Sequence, residues 1–166
     1  MNILTRKISD CVLCGSKNLF TYPIISNSPL ANKLENSLAK SLNSPRFPLN
    51  LLKCISCNHI QLSVAIDPKL LFSNYPYKTG ISKEFLRHFD KYAKNAIKFH
   101  KKFNKFRKIK TLKILDIGCN DGSLLNSFKI HGCLTFGFEP AKNLFKEIEN
   151  SHHVYNDFFN KKAAQT

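Results

Sequence analysis

The order of apolar and polar residues divides the chain into three stretches. In the first, residues 1–66, short apolar runs are interrupted by Pro, Asn and Gly, which is typical of loops and short strands. One run, residues 60–64, alternates apolar and polar positions and predicts a strand. The second stretch, residues 67–110, predicts a short helix from Asp67-Pro68 to Phe72 and then a long one. Ser82 is the predicted N-cap of the long helix, in which apolar residues recur every three or four positions as far as Phe106.

The third stretch, residues 111–166, predicts a strand, a turn and a helix in direct succession. Residues 112–117 are mostly apolar and predict a strand buried on both faces. Residues 118–122, Gly-Cys-Asn-Asp-Gly, predict a tight turn before an apolar helix, and a second strand at 134–138 ends on Glu139. The predicted fold class is α/β. A helix that starts directly after such a turn is expected to point its free N–H groups into the crevice at the strand's carboxyl end.

Two carboxylates have the spacing expected around a nucleoside ligand. Glu139 follows Asp116 by 23 residues, close to the roughly 20-residue spacing at which a carboxylate after the second strand accepts hydrogen bonds from ribose hydroxyls. The turn is not the dinucleotide fingerprint G-x-G-x-x-G, which would need glycine at Asn120. The motif Gly118-x-Asn120-x-Gly122 instead resembles the first motif of class I S-adenosylmethionine-dependent methyltransferases. The alternative is an ordinary strand-to-helix turn in another doubly wound protein.

Four of the six cysteines form two C-x-x-C pairs, Cys11 with Cys14 and Cys54 with Cys57. Two such pairs supply the tetrahedral four-thiolate ligand set that structural zinc prefers. The residues after the pairs, Gly15 and Asn58, are the types that best tolerate the positive φ often needed in a metal knuckle. A redox-active C-x-x-C motif is the alternative, but two pairs with matched following residues favour zinc. Cys119 and Cys133 are predicted to be small packing residues.

The net charge of +15 is concentrated between residues 83 and 113, where twelve Lys or Arg residues face only Glu84 and Asp90. Such a face can bind the phosphates of a nucleic acid or of a nucleotide-linked substrate, but a solvated face in a Lys-rich chain is the alternative. The chain has neither an apolar N-terminal core of roughly 7 to 15 residues nor a run of roughly 18 to 20 apolar residues. We therefore expect a soluble, cytoplasmic protein with no membrane partner, in which cysteines are thiols or metal ligands.

Several motifs follow one another in the order of a known family. They are C-x-x-C-G, Pro-Leu-Ala-Asn, C-x-x-C, Leu-Phe-x-x-Tyr-x-Tyr-x-x-Gly-x-Ser, Leu-Asp-Ile-Gly-Cys-Asn-Asp-Gly, Gly-Phe-Glu-Pro-Ala and Asp-Phe-Phe. The series resembles the zinc-binding sugar C-methyltransferases from Cys11 to about Asn160. This resemblance implies a zinc-binding module at 1–66 and a helical connector at 67–110. It also implies, at 111–166, strands 1–3 of a truncated Rossmann-like class I methyltransferase sheet.

The resemblance also implies which residues bind zinc, cofactor and substrate. The zinc ligands would be Cys11, Cys14, Cys54 and Cys57. The residues that hold S-adenosylmethionine would be Asp116, Gly118, Asn120, Gly122 and Glu139, with Tyr75, Tyr77 and Ser82 lining the same pocket. The substrate would be a nucleotide-activated keto-deoxysugar.

The chain departs from this family in length. Family members are more than twice as long, and the chain stops where the fourth strand of the sheet is expected, so no catalytic residue is assigned. We expect the chain alone to be inactive and to associate through the open edge of residues 112–117, with a separately encoded C-terminal half as its partner. One alternative is a zinc-ribbon nucleic-acid-binding protein, favoured by charge but disfavoured by the intact turn and Glu139. The other is an inactive remnant that acts as a partner protein.

Overall fold

The computed structural model describes residues 5–22, 27–104 and 111–165. Within these ranges the structure is mixed α/β and forms two compact units, Met1–Leu71 and Phe72–Thr166. The four paired cysteines all lie in the first unit, and the Gly-rich turn lies in the second. Among the described helices, none has the length and apolar character needed to cross a membrane.

The first unit consists of short antiparallel strands joined by loops. Its elements are β1 (Thr5–Lys7), β2 (Leu19–Tyr22), β3 (Ser28–Pro29), α1 (Leu38–Leu42), β4 (Arg46–Phe47), β5 (Leu51–Cys54), β6 (Ile60–Leu62), β7 (Val64–Ile66) and α2 (Pro68–Phe72), which runs across the division between the units. Strands β2, β5 and β6 form one sheet, β1 pairs with β7, and β3 pairs with β4. The short strands and loops of this stretch are as the sequence predicts.

The single strand predicted at 60–64 is in fact two strands that meet at Ser63. The N–H of Ser63 donates to the carbonyl of Asn50 (2.9 Å), and its own carbonyl accepts from the N–H of Ile8 (2.9 Å). The chain therefore changes partner at Ser63, from β5 to β1. Helix α1 was not predicted, although Ser37 caps it by accepting a hydrogen bond from the N–H of Lys40.

The second unit contains a three-stranded parallel sheet in the order β10-β9-β8. Its elements are α3 (Lys83–Phe103), β8 (Lys113–Ile117), α4 (Ser123–Ile130), β9 (Leu134–Phe138), α5 (Lys142–Ile148) and β10 (His153–Tyr155), with short 3₁₀ helices at Thr79–Ile81 and Ala163–Gln165. The register sets Asp116 opposite Gly137 and Ile117 opposite Phe138. The second strand spans the residues that the sequence predicts.

One face of this sheet is covered, and the other is open at β8 but covered at Phe138 of β9, which contacts Tyr155 and Phe159. On the covered face, Ile114 packs against α4 in a core that includes Leu125 and Ile148. On the opposite face Leu115 is 50% exposed and Ile117 is 56% exposed. The prediction that 112–117 is buried on both faces is therefore wrong within the described residues. Successive side chains of a strand point to opposite faces, and α4 covers only one of them.

Helix α3 begins at the predicted cap, since the hydroxyl of Ser82 accepts a hydrogen bond from the N–H of Phe85 (3.3 Å). Its apolar stripe is only partly covered. Ala93 is fully buried against Phe128 of α4, whereas Phe99 remains 66% exposed. Phe106, the predicted end of the stripe, lies outside the described residues.

Candidate functional site

The two C-x-x-C pairs fold into two knuckles of matching backbone geometry. In the first, the N–H of Gly15 donates to the carbonyl of Cys11 (2.8 Å). In the second, the N–H of Asn58 donates to the carbonyl of Cys54 (2.9 Å). Gly15 has φ +75° and Asn58 has φ +61°, so the predicted left-handed conformation is confirmed at both positions.

The knuckles bring four sulfur atoms to one point. The Sγ atoms of Cys11 and Cys57 lie 3.6 Å apart, as do those of Cys14 and Cys54, and all four lie within 4.8 Å of one another. A tetrahedron of thiolates about 2.3 Å from zinc has edges of about 3.8 Å, whereas a disulfide would bring two sulfurs to about 2 Å. The four cysteines therefore fit a single structural zinc ion.

The electrostatics of the cluster also favour a cation. Burial opposes ionisation of Cys54, but the N–H groups of Cys57 and Ser56 donate to its sulfur and lower its pKa to about 6. At Cys57 the N–H of His59 favours the thiolate, but burial and the neighbouring thiols of Cys14 and Cys11 raise the pKa to about 12. One thiolate thus suppresses the next, and a dication removes this repulsion.

In the second unit, the turn after β8 contains three residues with positive φ: Gly118 (+78°), Asn120 (+51°) and Gly122 (+72°). The two glycines face different surroundings. A Cβ at Gly118 would meet no atom within 4 Å, whereas one at Gly122 would lie 3.1 Å from Cγ2 of Ile148. Gly118 therefore borders space where a ligand can approach the backbone, and Gly122 is needed for packing.

Five N–H groups in this turn and directly after it already have acceptors inside the protein. The N–H groups of Gly118 and Cys119 donate to the carbonyl of Phe138, and the N–H of Gly122 donates to the carbonyl of Cys119. The N–H of Asn120 donates to the carboxylate of Glu139, and the N–H of Ser123 donates to the carboxylate of Asp121. The expectation of free N–H groups facing the crevice is therefore wrong for these five residues. The turn is better suited to ligands that donate hydrogen bonds than to ligands that accept them.

Three carboxylates surround the turn: Asp116 near the end of β8, Asp121 within the turn, and Glu139 after β9. Burial raises the pKa of Asp116. Burial also raises the pKa of Glu139, although the N–H groups of Ala141 and Asn120 oppose that rise. All three are close enough to Cys119 to influence its thiol, whose pKa burial and these charges raise to about 12. Cys119 is therefore a neutral packing thiol, as predicted.

Glu139 is held firmly at the position predicted for a ribose-binding carboxylate. It is only 5% exposed. Its Oε2 accepts from the N–H of Asn120 (2.7 Å), and its Oε1 accepts from the N–H of Ala141 (2.8 Å). Because a carboxylate oxygen can accept two hydrogen bonds, each oxygen keeps one acceptor direction for a ligand.

Residues 73–81, which we call the strap, lie against the turn that follows β8 and the first residues of α5. The N–H of Tyr75 donates to Oδ1 of Asn143 (3.0 Å), and Nδ2 of Asn143 donates to the carbonyl of Tyr75 (2.8 Å). The carbonyl of Tyr77 accepts from Nδ2 of Asn120 (3.1 Å). Two of the predicted pocket residues, Tyr75 and Tyr77, thus belong to a segment fixed beside the turn. Ser82 instead caps α3.

Sequence reasoning missed two residues of this arrangement, Asp121 and Asn143. Asp121 lies inside the turn motif Gly118-x-Asn120-x-Gly122, but the sequence alone assigns it no function. Asn143 lies on α5. Both bind a segment that precedes them by 41 to 68 residues. Side-chain bonds to a distant backbone leave no periodic signal in the sequence, so neither contact could have been found there.

The comparisons with known proteins agree with the four-cysteine cluster. Residues 11–72 match a methyltransferase family model described as "Putative zinc binding domain". Over 144 residues the chain is 24% identical to the C-methyltransferase NovU of Streptomyces niveus. That match covers 87% of this chain and 33% of NovU, so the chain spans about a third of the length of this curated relative. The predicted resemblance to the N-terminal portion of the zinc-binding C-methyltransferases is confirmed.

Proposed function

We propose that this chain is the cofactor-binding portion of an S-adenosylmethionine-dependent C-methyltransferase that acts on a nucleotide-activated keto-deoxysugar. The observation that carries the proposal is the group of three carboxylates, Asp116, Asp121 and Glu139, around a turn in which most N–H groups are already bonded. S-adenosylmethionine has a sulfonium and an ammonium cation against one carboxylate, and two ribose hydroxyls. Its net positive charge and its hydroxyl donors are matched by negative charge and hydrogen-bond acceptors. A pyrophosphate needs free N–H donors and would be repelled by the carboxylates.

The arrangement of the strands supports the same cofactor. In a parallel sheet of order β10-β9-β8, the carboxyl ends of β8 and β9 meet at one edge, where a class I methyltransferase holds its cofactor. We assign residues 111–166 to the first three strands of such a Rossmann-like sheet. Glu139 would bind the ribose hydroxyls, and Asp116 would supply negative charge near the cofactor's cations. Gly118 would let the ligand approach the backbone.

The cysteine cluster has a structural role in this proposal. It lies in the other unit, and a tetrahedral zinc ion would take up all four of its sulfur atoms and so would leave no open coordination position for substrate. Zinc would stabilise the first unit. S-adenosylmethionine, when bound, supplies the methyl group.

The chain spans about a third of the length of NovU, and we propose that polypeptide outside these 166 residues contributes the base chemistry at the sugar. Among the described residues β8 pairs only with β9, which leaves its second edge available for a strand. Beside that edge is a groove between α3 and β8, lined by apolar side chains that include Tyr92, Phe99 and Phe128. An added strand with an apolar face would complete the sheet at this edge.

Glu139→Ala tests the cofactor site, and Glu149→Ala is its matched control because Glu149 is an exposed carboxylate of the same unit. We expect Glu139→Ala to weaken S-adenosylmethionine binding by roughly 1.5 to 3 kcal/mol, the scale of a hydrogen bond to a charged acceptor. Glu149→Ala should leave the calorimetric Kd unchanged, and both variants should retain zinc. Equal Kd values for Glu139→Ala and the parent would show that this carboxylate is not at the ribose.

A further inference from the structure

The strap is attached to the Gly-rich turn by the two side chains at its centre, Asn120 and Asp121. Oδ1 of Asp121 accepts from the hydroxyl of Thr79 (2.8 Å), and Oδ2 accepts from the N–H of Gly80 (2.6 Å). Oδ1 of Asn120 accepts from the N–H of Thr79 (3.1 Å), while its Nδ2 donates to the carbonyl of Tyr77. These four hydrogen bonds join a segment before α3 to the turn after β8.

Three of the four bonds involve the backbone of the strap. Asn120 and Asp121 therefore fix the course of the strap mainly through its backbone. The Gly80 bond is short and has a charged acceptor, which is the strong class of protein hydrogen bond. Asp121 also accepts from the N–H of Ser123 at the start of α4, so one carboxylate binds the strap and the helix together.

Close packing at Gly80 makes the attachment specific. A Cβ at this position would lie 2.5 Å from Oγ of Ser123 and 3.0 Å from Oδ2 of Asp121. Real Cβ atoms do not approach other atoms so closely, so an alanine here would displace either the strap or the side chains of Ser123 and Asp121 that face it. Glycine thus lets the strap lie this close to the side chain of Asp121.

We propose that Asn120 and Asp121 are positioning residues that latch the strap onto the Gly-rich turn, so that the strap forms a fixed wall of the S-adenosylmethionine pocket. The four hydrogen bonds support the latch, whereas the role of the strap as a pocket wall rests on the proposed function. Asn120, which the family resemblance assigns to the cofactor itself, acts in this proposal through the strap.

Amide exchange measured by NMR tests the latch without any cofactor. In the zinc-loaded full chain the Gly80 amide proton should resonate downfield and exchange slowly. Asp121→Asn replaces an acceptor oxygen by an NH₂ group that faces donors, so we expect Gly80 exchange to accelerate at least tenfold while the β9 amides of Phe136 and Gly137 keep their rates. Asp157→Asn is the matched control, because its Oδ1 also accepts a local N–H, that of Phe158 (2.7 Å), but holds no strap.

A variant on the strap side keeps the test decisive if Asp121→Asn disturbs the turn. Gly80→Ala leaves every residue of the turn in place, yet it should release the strap to the same extent. Thr79→Val combined with Asp121→Asn should accelerate exchange by less than the product of the single effects, because the two groups share one bond. If the amide at position 80 exchanged as slowly in Asp121→Asn and in Gly80→Ala as in the parent, the latch would be overturned. A uniform acceleration of exchange across the β9 amides would also overturn it.

Calorimetry then tests the role of the strap as a pocket wall. We expect Gly80→Ala to weaken S-adenosylmethionine binding about tenfold, with Tyr75→Ala in the same direction and Asp157→Asn unchanged. Local loosening of the strap with an unchanged Kd would overturn the pocket-wall role. If the parent chain bound no S-adenosylmethionine, the proposed function would fail together with the pocket wall, whereas amide exchange would still decide the latch.

Discussion

The N–H of Asn120 donates to the carboxylate of Glu139 across 2.7 Å, which joins the turn after β8 to the end of β9. Glu139 therefore supports the turn in addition to its proposed contact with ribose. Glu139→Ala would leave the N–H groups of Asn120 and Ala141 without their acceptor in a buried site. We expect it to lower the free energy of unfolding of the second unit by about 1–3 kcal/mol, measured by urea denaturation.

Glu139→Gln retains one side-chain acceptor oxygen and is the matched comparison. It should recover part of the lost stability, because one of the two N–H groups keeps an oxygen partner. Equal unfolding midpoints for the parent and Glu139→Ala would contradict a supporting role for this carboxylate.

The zinc prediction concerns the first unit. Purified chain should contain one zinc ion per molecule, and Cys54→Ser should release it and unfold this unit, because structural zinc contributes folding free energy directly. Metal analysis together with circular dichroism provides the measurement. Cys133→Ser, which changes a buried thiol of the second unit, should retain the zinc. Reduced, freshly purified parent protein without zinc would refute the assignment.

A buried histidine predicts a loss of stability in acid. Nδ1 of His152 lies 2.7 Å from Oγ1 of Thr135, and its Nε2 lies 3.1 Å from Oδ1 of Asn126. Burial lowers the pKa of His152, and the charge of Lys129 adds to this effect. The unfolded chain therefore binds this proton at a higher pH than the folded chain does. The neutral imidazole therefore stabilises the folded chain above the ordinary histidine pKa of about 6.5, and this stabilisation is lost as the pH falls below that value.

His152→Gln should flatten the dependence of the melting temperature on pH below about 6.5. His153→Gln is the matched control, because His153 is an exposed neighbour and should leave the profile as it is in the parent. If the parent and His152→Gln lost stability equally with falling pH, other groups would have to account for the acid sensitivity.

The open face of the second unit predicts self-association. Leu115 and Ile117 expose half or more of their surface on this face. Charged replacements at both positions should raise the monomer fraction in sedimentation velocity, since apolar area and an open strand edge drive association. Leu34→Glu changes a leucine of the first unit that is 87% exposed and should have no such effect. A monodisperse parent monomer would contradict the prediction.

Features encoded in a few adjacent residues could be predicted from the sequence. The positive φ of Gly15 and Asn58, the cap at Ser82 and the strand Leu134–Phe138 all follow from local residue types. The exposure of Leu115 could not be predicted, because an apolar run does not reveal which of its two faces a helix covers. The bond between Asp121 and Gly80 could not be predicted either, since it depends on how the chain returns to the turn after 41 residues.

The most direct test of the account is a calorimetric titration of the zinc-loaded chain with S-adenosylmethionine and, in parallel, with a nicotinamide dinucleotide. Both ligands contain adenosine. Next to the ribose, S-adenosylmethionine carries its cations, whereas the dinucleotide carries a pyrophosphate. The carboxylates of Asp116, Asp121 and Glu139 predict saturable binding of S-adenosylmethionine at one site per chain and no measurable binding of the dinucleotide. Binding of the dinucleotide without binding of S-adenosylmethionine would contradict the assignment of this turn to a methyltransferase cofactor.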